Sequence, residues 1–198
     1  MKKNKSKTLK QLLIIVAILT LGVGVAYAAL SATLNITFGK VTQSALSWNV
    51  GFQGTSATGT FIGSSTTGSS CGTATITSSS VSVADTSLSK PGDKCYYTLT
   101  VKNSGTVGAK LNTITPTAPS GITCNPISGG SMTCGNITYK LLSSIDSNGN
   151  GSTLATGGTI AANGTQSVYL VAEFTGANVV STPVEHTGAK FELYYVQA

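Results

Sequence analysis

Apolar residues recur at every second position along most of this chain, and that period limits what the chain can fold into. The clearest run is Cys95, Tyr97, Leu99 and Val101, with the intervening residues turned to the other face. Successive side chains of a β-strand point to opposite faces, so this period predicts strands with one buried side. Beyond Leu30 no stretch shows a sustained helical period. We therefore expect an all-β domain.

The apolar runs are short and are separated by turn-forming residues. Before the clearest run, Pro91 and Gly92 suit the centre of a tight turn that the side chain of Asp93 can cap. The strand candidates are residues 30–38, 46–52, 58–62, 73–77, 81–84, 95–101, 110–115, 137–141, 168–174 and 189–196. About eight to ten such strands predict an Ig-like or jelly-roll β-sandwich. No linker divides residues 29–198, so we expect one domain there, with the Ser-, Thr- and Gly-rich stretch 54–72 as an exposed hairpin or loop.

The first 28 residues have the organisation of an export signal. A Lys-rich head precedes an apolar run over residues 12–25, and Ala26 and Ala28 supply the small residues of a signal-peptidase site. We expect cleavage after Ala28. The alternative is an uncleaved membrane anchor, because the apolar stretch that continues to Leu30 is just long enough to span a bilayer as a helix. Either reading places the body outside the cytoplasm, extracellular or at the cell surface.

The positive charge of the chain belongs mainly to this leader. Of 12 basic residues, all of them Lys, five lie in the first ten positions, which leaves seven Lys against 6 acidic residues in the body. A nearly neutral body without Arg lacks the basic surface and the bidentate base-reading group that nucleic-acid binding uses. We expect no nucleic-acid partner.

Four cysteines follow the leader, in a compartment where disulfides persist. They are Cys71, Cys95, Cys124 and Cys134. Three pairings are possible and the sequence does not select among them. We favour a local bridge between Cys124 and Cys134, which flank a short Gly- and Ser-rich segment, and this leaves Cys71 with Cys95. Free buried thiols are the alternative. A metal site is disfavoured because there is no CxxC pair and only one histidine, His186.

Two further patterns resemble sites that carry chemistry. The start of a calcium-binding loop is imitated by oxygen-bearing residues at alternate positions, Asp146, Asn148 and Asn150. The twelfth position of such a loop should be a bidentate Glu, but here it is Gly157, so a polar hairpin turn is the stronger interpretation. His186 and its neighbour Glu185 could imitate a catalytic acid–base pair, but the sequence contains no HExxH, GxSxG or Walker motif. We expect no enzyme activity and no cofactor.

A family resemblance begins in residues 88–114, LSKPGDKCYYTLTVKNSGTVGAKLNTI. This segment resembles the core of the TasA/camelysin family of exported Gram-positive proteins, in which a PGD turn, a strand, an NxG turn and a second strand follow one another. The same core also occurs in Ig-like modules of adhesins. The pieces ITFGKV, TIAANGTQSVYLVAEF and TGAKFELYYV follow the family's order. The resemblance implies a jelly-roll-like protein of the cell surface or biofilm matrix. Its partners would be itself or other envelope proteins, and the membrane if the leader is retained. The alternatives are an Ig-like adhesin module and, remotely, a camelysin-like protease.

The segment that follows the cleavage site alternates strictly. Its apolar positions include Leu30, Leu34, Ile36 and Phe38. A free terminal strand of this kind can complete the sheet of a neighbouring copy by donor-strand exchange. The alternative is the first strand of its own sandwich. Among the aromatic residues, Tyr96, Tyr169 and Tyr194 fall on the outward parity, where they either pack across strands or form a face for a carbohydrate or a partner protein.

Overall fold

The computed structural model describes residues 47–64, 67–178 and 182–198, and within these ranges the chain is all-β, as predicted. None of these residues lies in a helix long and apolar enough to cross a membrane. The strands are β1 (Val50–Gln53), β2 (Ser56–Thr58), β3 (Thr60–Ile62), β4 (Thr73–Ile76), β5 (Val81–Val83), β6 (Lys94–Asn103), β7 (Ala109–Thr117), β8 (Cys124–Ser128), β9 (Ser131–Cys134), β10 (Ile137–Leu142), β11 (Thr159–Ile160), β12 (Thr165–Phe174) and β13 (Lys190–Gln197). The leader with Ala26 and Ala28, and the alternating residues Leu30, Leu34, Ile36 and Phe38, lie outside the described residues.

Seven strands form one antiparallel sheet. Its order is β1–β6–β12–β10–β9–β8, and β3 pairs with β6 on the same side as β1. The two longest strands, β6 and β12, pair with each other from Lys94–Glu173 to Lys102–Thr165. Tyr97 and Leu99 of β6 are buried on the inner face of this sheet. The period-two pattern of the sequence is the alternation between this inner face and the opposite one.

Two three-stranded antiparallel sheets cover this inner face, which makes the fold sandwich-like. The sheet β11–β7–β13 packs on Val101 and Val168 through residues such as Leu111. The sheet β2–β4–β5 packs on the other half of β6, where Ile76 contacts the cluster around Tyr97. Burying each side chain of this size contributes about 1.5–3 kcal/mol, so the two clusters hold the layers together.

The described residues alone form thirteen strands, more than the sequence predicts, because several are very short. The strand expected over residues 58–62 is divided at Gly59 into β2 and β3, which belong to different sheets. A Cβ at Gly59 would lie 2.6 Å from Cβ of Cys71 and 2.7 Å from the ring of Tyr97. Only glycine permits this close approach, and the chain changes sheets there.

The segment between Cys124 and Cys134 is a β-hairpin, β8–β9, that the sequence analysis did not predict. Its turn is formed by Gly129 and Gly130, and Gly129 has a positive φ of 47°. The sequence of β8 shows no alternation of apolar and polar residues, because this strand is half-buried or exposed along its whole length. Only β9 has an alternating burial pattern, with Met132 and Cys134 buried. The two-residue strand β11 was also missed, since two residues carry no period.

Candidate functional site

A cleft of about 1230 Å³ opens on the inner face of the seven-stranded sheet. Its floor is formed by β6, β12 and β10, and its walls are β5 with residues 84–88 on one side and residues 183–191 on the other. Interiors of folded domains are normally close-packed, with few voids larger than a water molecule. As built from the described residues, the second layer of the sandwich therefore leaves a gap between the two covering sheets.

The floor of the cleft is largely apolar. It includes Leu170 and Ala172 of β12 and Ile137 and Tyr139 of β10. These four side chains are only half-buried, although Val168 on the same face of β12 is fully buried under the β11–β7–β13 sheet. Covering apolar surface contributes about 25 cal/mol per Å². An apolar occupant of the cleft would therefore be bound through these residues.

Two strand edges border the cleft. Among the described residues β5 pairs only with β4, and β13 pairs only with β7. Between β4 and β5, the Thr77 amide donates to the Ser80 carbonyl and the Ala84 amide donates to the Thr73 carbonyl. Hydrogen-bonded pairs alternate with non-hydrogen-bonded pairs in an antiparallel ladder. Val81 and Val83 therefore direct their backbone N–H and C=O groups away from β4, towards the unpaired edge.

The 183–191 wall carries the single histidine of the chain. The ring of His186 lies over Tyr139, with centroids 6.0 Å apart and planes tilted by 47°. Burial lowers the pKa of His186 and raises the pKa of Tyr139 to about 12, so both rings are neutral near neutral pH. His186 Nδ1 is buried and has no hydrogen-bond partner among the described residues. Nearby, Val184 is 64% exposed.

In the three described ranges there is no group of three His, Cys, Asp or Glu side chains that could hold a metal ion. Glu185, which the sequence places beside His186, is exposed. An occupant of the cleft would make apolar contact with its floor and backbone hydrogen bonds with its edges.

An ion-pair cluster lies on the opposite face of the large sheet. Glu173 of β12 contacts Lys94 Nζ at 3.2 Å and Lys140 Nζ at 2.6 Å. Burial alone would raise the pKa of Glu173, but the hydrogen bonds and positive charges of Lys140 and Lys94 outweigh it, and the pKa is lowered. Glu173 is therefore held ionised between two lysines.

We expect Glu173→Gln to remove part of the acid sensitivity of the fold. The folded-state pKa of Glu173 lies below its ordinary value of 4.5. Its stabilising contribution is therefore complete above that value and is lost as the pH falls through the folded-state pKa. Urea unfolding of the two proteins between pH 7 and pH 3 measures this, and the variant should lose less stability over the acidic part of the range. Glu185→Gln, at an exposed position, is the matched control, and equal slopes for Glu173→Gln and the unmodified chain would contradict the expectation.

The alternating residues Asp146, Asn148 and Asn150 form a tight turn. Asp146 Oδ1 accepts hydrogen bonds from the backbone amides of Asn148 at 2.9 Å and of Asn150 at 2.8 Å. The side chain of Asn150 accepts a 2.6 Å hydrogen bond from Lys94 Nζ. These oxygens are thus engaged by the turn itself and by an ammonium group.

The structure contains two disulfides, Cys71–Cys95 and Cys124–Cys134, which are the two pairs that the sequence favoured. No described cysteine is free. The first links the β2–β4–β5 layer to β6, and the second joins neighbouring strands of the hairpin β8–β9. Two disulfides are consistent with a location outside the cytoplasm.

The outward tyrosines do not form one surface. Tyr96 and Tyr169 lie on adjacent strands of the large sheet, whereas Tyr194 lies on β13 of another sheet, at a register shift. All three are half-buried. The sequence did not single out the residues of the cleft floor, because each belongs to an ordinary apolar strand pattern. They differ from other inward residues only in that no described strand covers them.

Comparison with known proteins adds no relative to this description. No protein-family model, no curated protein and no solved structure matches the chain. Its function is therefore inferred from its own cleft, strand edges and side-chain clusters.

Proposed function

We propose that this chain is an exported structural protein of the cell surface or extracellular matrix that assembles with itself by strand donation. In this proposal the cleft accepts residues 29–38 of a neighbouring copy. One observation carries it: none of the described strands covers this apolar floor, which lies between two strand edges that have no partner among the described residues. The jelly-roll-like description of the fold belongs to the same proposal, because the donated strand would join the two small sheets into one layer.

The donated segment matches the cleft in two ways. Its alternating apolar residues, including Leu34, Ile36 and Phe38, would turn towards the floor, and its backbone would pair with the free groups of Val81 and Val83. Main-chain bonds then supply affinity and alternate side chains supply specificity. The cleft of about 1230 Å³ also exceeds the roughly 300–1,000 Å³ that is usual for small-molecule sites. An extended peptide is the better occupant.

The donor side is tested in the full exported chain. One double variant, Leu34→Asp with Ile36→Asp, places two charges on the apolar side of the strand. A second double variant, Thr33→Asp with Asn35→Asp, places the same two charges on its opposite side. We expect filaments, seen by electron microscopy, to disappear only in the first pair, because its carboxylates would be buried on the floor. Filaments that persist in the first pair, or no filaments from the unmodified chain at any concentration, would contradict the proposal.

Mixing two defective variants tests whether the strand comes from a neighbour. Deletion of residues 29–38 removes the donated strand, and Val83→Pro removes an N–H that would donate a hydrogen bond to that strand, without removing a bond to β4. Each variant alone should remain monomeric in sedimentation, and an equimolar mixture should form heterodimers that grow no further. If the segment is instead the first strand of its own sandwich, the mixture will stay monomeric.

A further inference from the structure

A lysine, a carboxylate and a side-chain amide meet on the outer face of the large sheet. Lys94 Nζ donates a 2.6 Å hydrogen bond to Asn150 Oδ1 and lies 3.2 Å from Glu173 Oε1. Glu173 is the cross-strand partner of Lys94, so the sheet itself fixes this pair. Asn150 comes from the turn between β10 and β11, at a sequence separation of 56 from Lys94.

The amine of Lys94 lies beside the side-chain amide carbon of Asn150. The 2.6 Å contact and a C=O bond of about 1.23 Å place Nζ no more than about 3.8 Å from Cγ of Asn150. Reacting atoms in near-attack arrangements are about 3–3.5 Å apart. The Lys94 side chain is only 10% exposed, and its stem lies against Gly149, where an added Cβ would come within 3.2 Å of Lys94 Cδ.

We propose that Lys94 and Asn150 become joined by an intramolecular isopeptide bond, with Glu173 carrying the proton. Lys94 first gives a proton to Glu173, and the neutral amine then attacks Cγ of Asn150. A bond forms between Nζ and Cγ while the bond from Cγ to Nδ2 breaks. The proton on Glu173 and one from the attacking amine pass to the departing nitrogen, which leaves as ammonium. Atoms and charge balance without any other reactant.

The charges around the site favour this product. Before the reaction, two ammonium groups, those of Lys94 and Lys140, share the single carboxylate of Glu173. A partly buried cluster with unbalanced charge is costly. After the reaction the positive charge of Lys94 has departed with ammonium, and Lys140 and Glu173 remain as a neutral pair. Asn150 is on the exposed side of the site, so ammonium can escape to solvent.

The turn holds Asn150 in place for the attack. The Asn150 amide donates to Asp146 Oδ1 at 2.8 Å, and the Asn150 carbonyl accepts from the Asp146 amide at 2.7 Å. The polar turn at residues 146–150 is thus an anchor for the amide. The resulting bond would fasten this turn to the start of β6, and it requires no assembly of the chain with itself.

Intact mass spectrometry of the purified exported chain tests the proposal, with the mature N-terminus defined by peptide mapping. We expect a mass lower than the disulfide-bonded sequence mass by one ammonia, and a digest containing a branched peptide that joins Lys94 to Asn150. Lys94→Arg should restore the full mass, because arginine keeps the charge but not the nucleophile. Lys140→Arg, beside the same carboxylate, is the matched control and should still lose ammonia.

Three results would overturn it. An unmodified chain at its full sequence mass shows that the contact is only a hydrogen bond. Loss of ammonia that persists in Lys94→Arg assigns the loss to another amide, such as ring closure at Asn150–Gly151. If every molecule of the Glu173→Gln variant still loses one ammonia, the role of Glu173 is overturned, since that variant has no carboxylate to move the proton.

Discussion

Replacing Asn103 by alanine should lower the free energy of unfolding by about 3 kcal/mol, because several buried backbone groups lose their partner together. Asn103 is fully buried. Its Nδ2 donates to the carbonyls of Val107 at 2.7 Å and of Ile160 and Ala161 at 3.2 Å each. Its Oδ1 accepts from the Gly105 amide at 3.0 Å. One side chain therefore joins the turn after β6 to the turn before β12.

Urea denaturation measures this loss, with Asn112→Ala as the control. Asn112 is an exposed asparagine of β7, where truncation should change the stability by less than about 0.5 kcal/mol. Equal, small effects for both variants would show that water or neighbouring groups satisfy the backbone groups that Asn103 contacts. A large effect of Asn103→Ala alone would show that the two turns depend on this one amide.

Removing the Cys71–Cys95 disulfide by the double alanine variant should cost roughly 3.5 kcal/mol, against roughly 2.8 kcal/mol for Cys124–Cys134. The difference follows first from the sequence separations of 24 and 10, since the longer loop loses more chain entropy when it is closed. Packing adds to it. Cys95 is fully buried in the cluster under the β2–β4–β5 sheet, and its bridge links two layers.

Unfolding of both double variants in urea measures the two costs, and each serves as the control for the other. The bridge Cys124–Cys134 joins strands that already pair in the same sheet, so its removal should leave the two-layer packing intact. A greater loss from the Cys124–Cys134 variant would contradict this view, because it would mean that the edge hairpin contributes more to the fold than the contact between layers.

Local sequence signals located several parts of the fold correctly. The turn at Pro91–Gly92 forms as expected, and Asp93 Oδ2 accepts the Lys90 amide at 3.0 Å, which is the side-chain cap that the sequence suggested. The strand around Tyr97 and Leu99 also forms where the alternation placed it. These features depend on neighbouring residues alone, and for that reason they can be read from a short window of sequence.

Other features depend on contacts between distant segments. Asn103 makes four hydrogen bonds, and two of them reach the carbonyls of Ile160 and Ala161, which lie 57 and 58 residues further along the chain. The sequence predicted that Asn150 lies in a polar hairpin turn, with a calcium loop as the weaker interpretation, but it did not predict that the pairing of β6 with β12 brings Lys94 and Glu173 together beside this side chain. No pattern in the neighbouring residues predicts either contact.

The sequence by itself determined that the body is built from strands with one apolar side, because side-chain alternation has a fixed period of two. It also favoured the cysteine pairs, since a short segment can be closed locally. Tertiary structure alone decided that the described part of the covering layer is divided into two sheets, with a cleft between them and with edges that no described strand pairs. The reason is physical: a strand pattern specifies that one side will be buried, but it does not specify which segment, or which copy of the chain, will cover it.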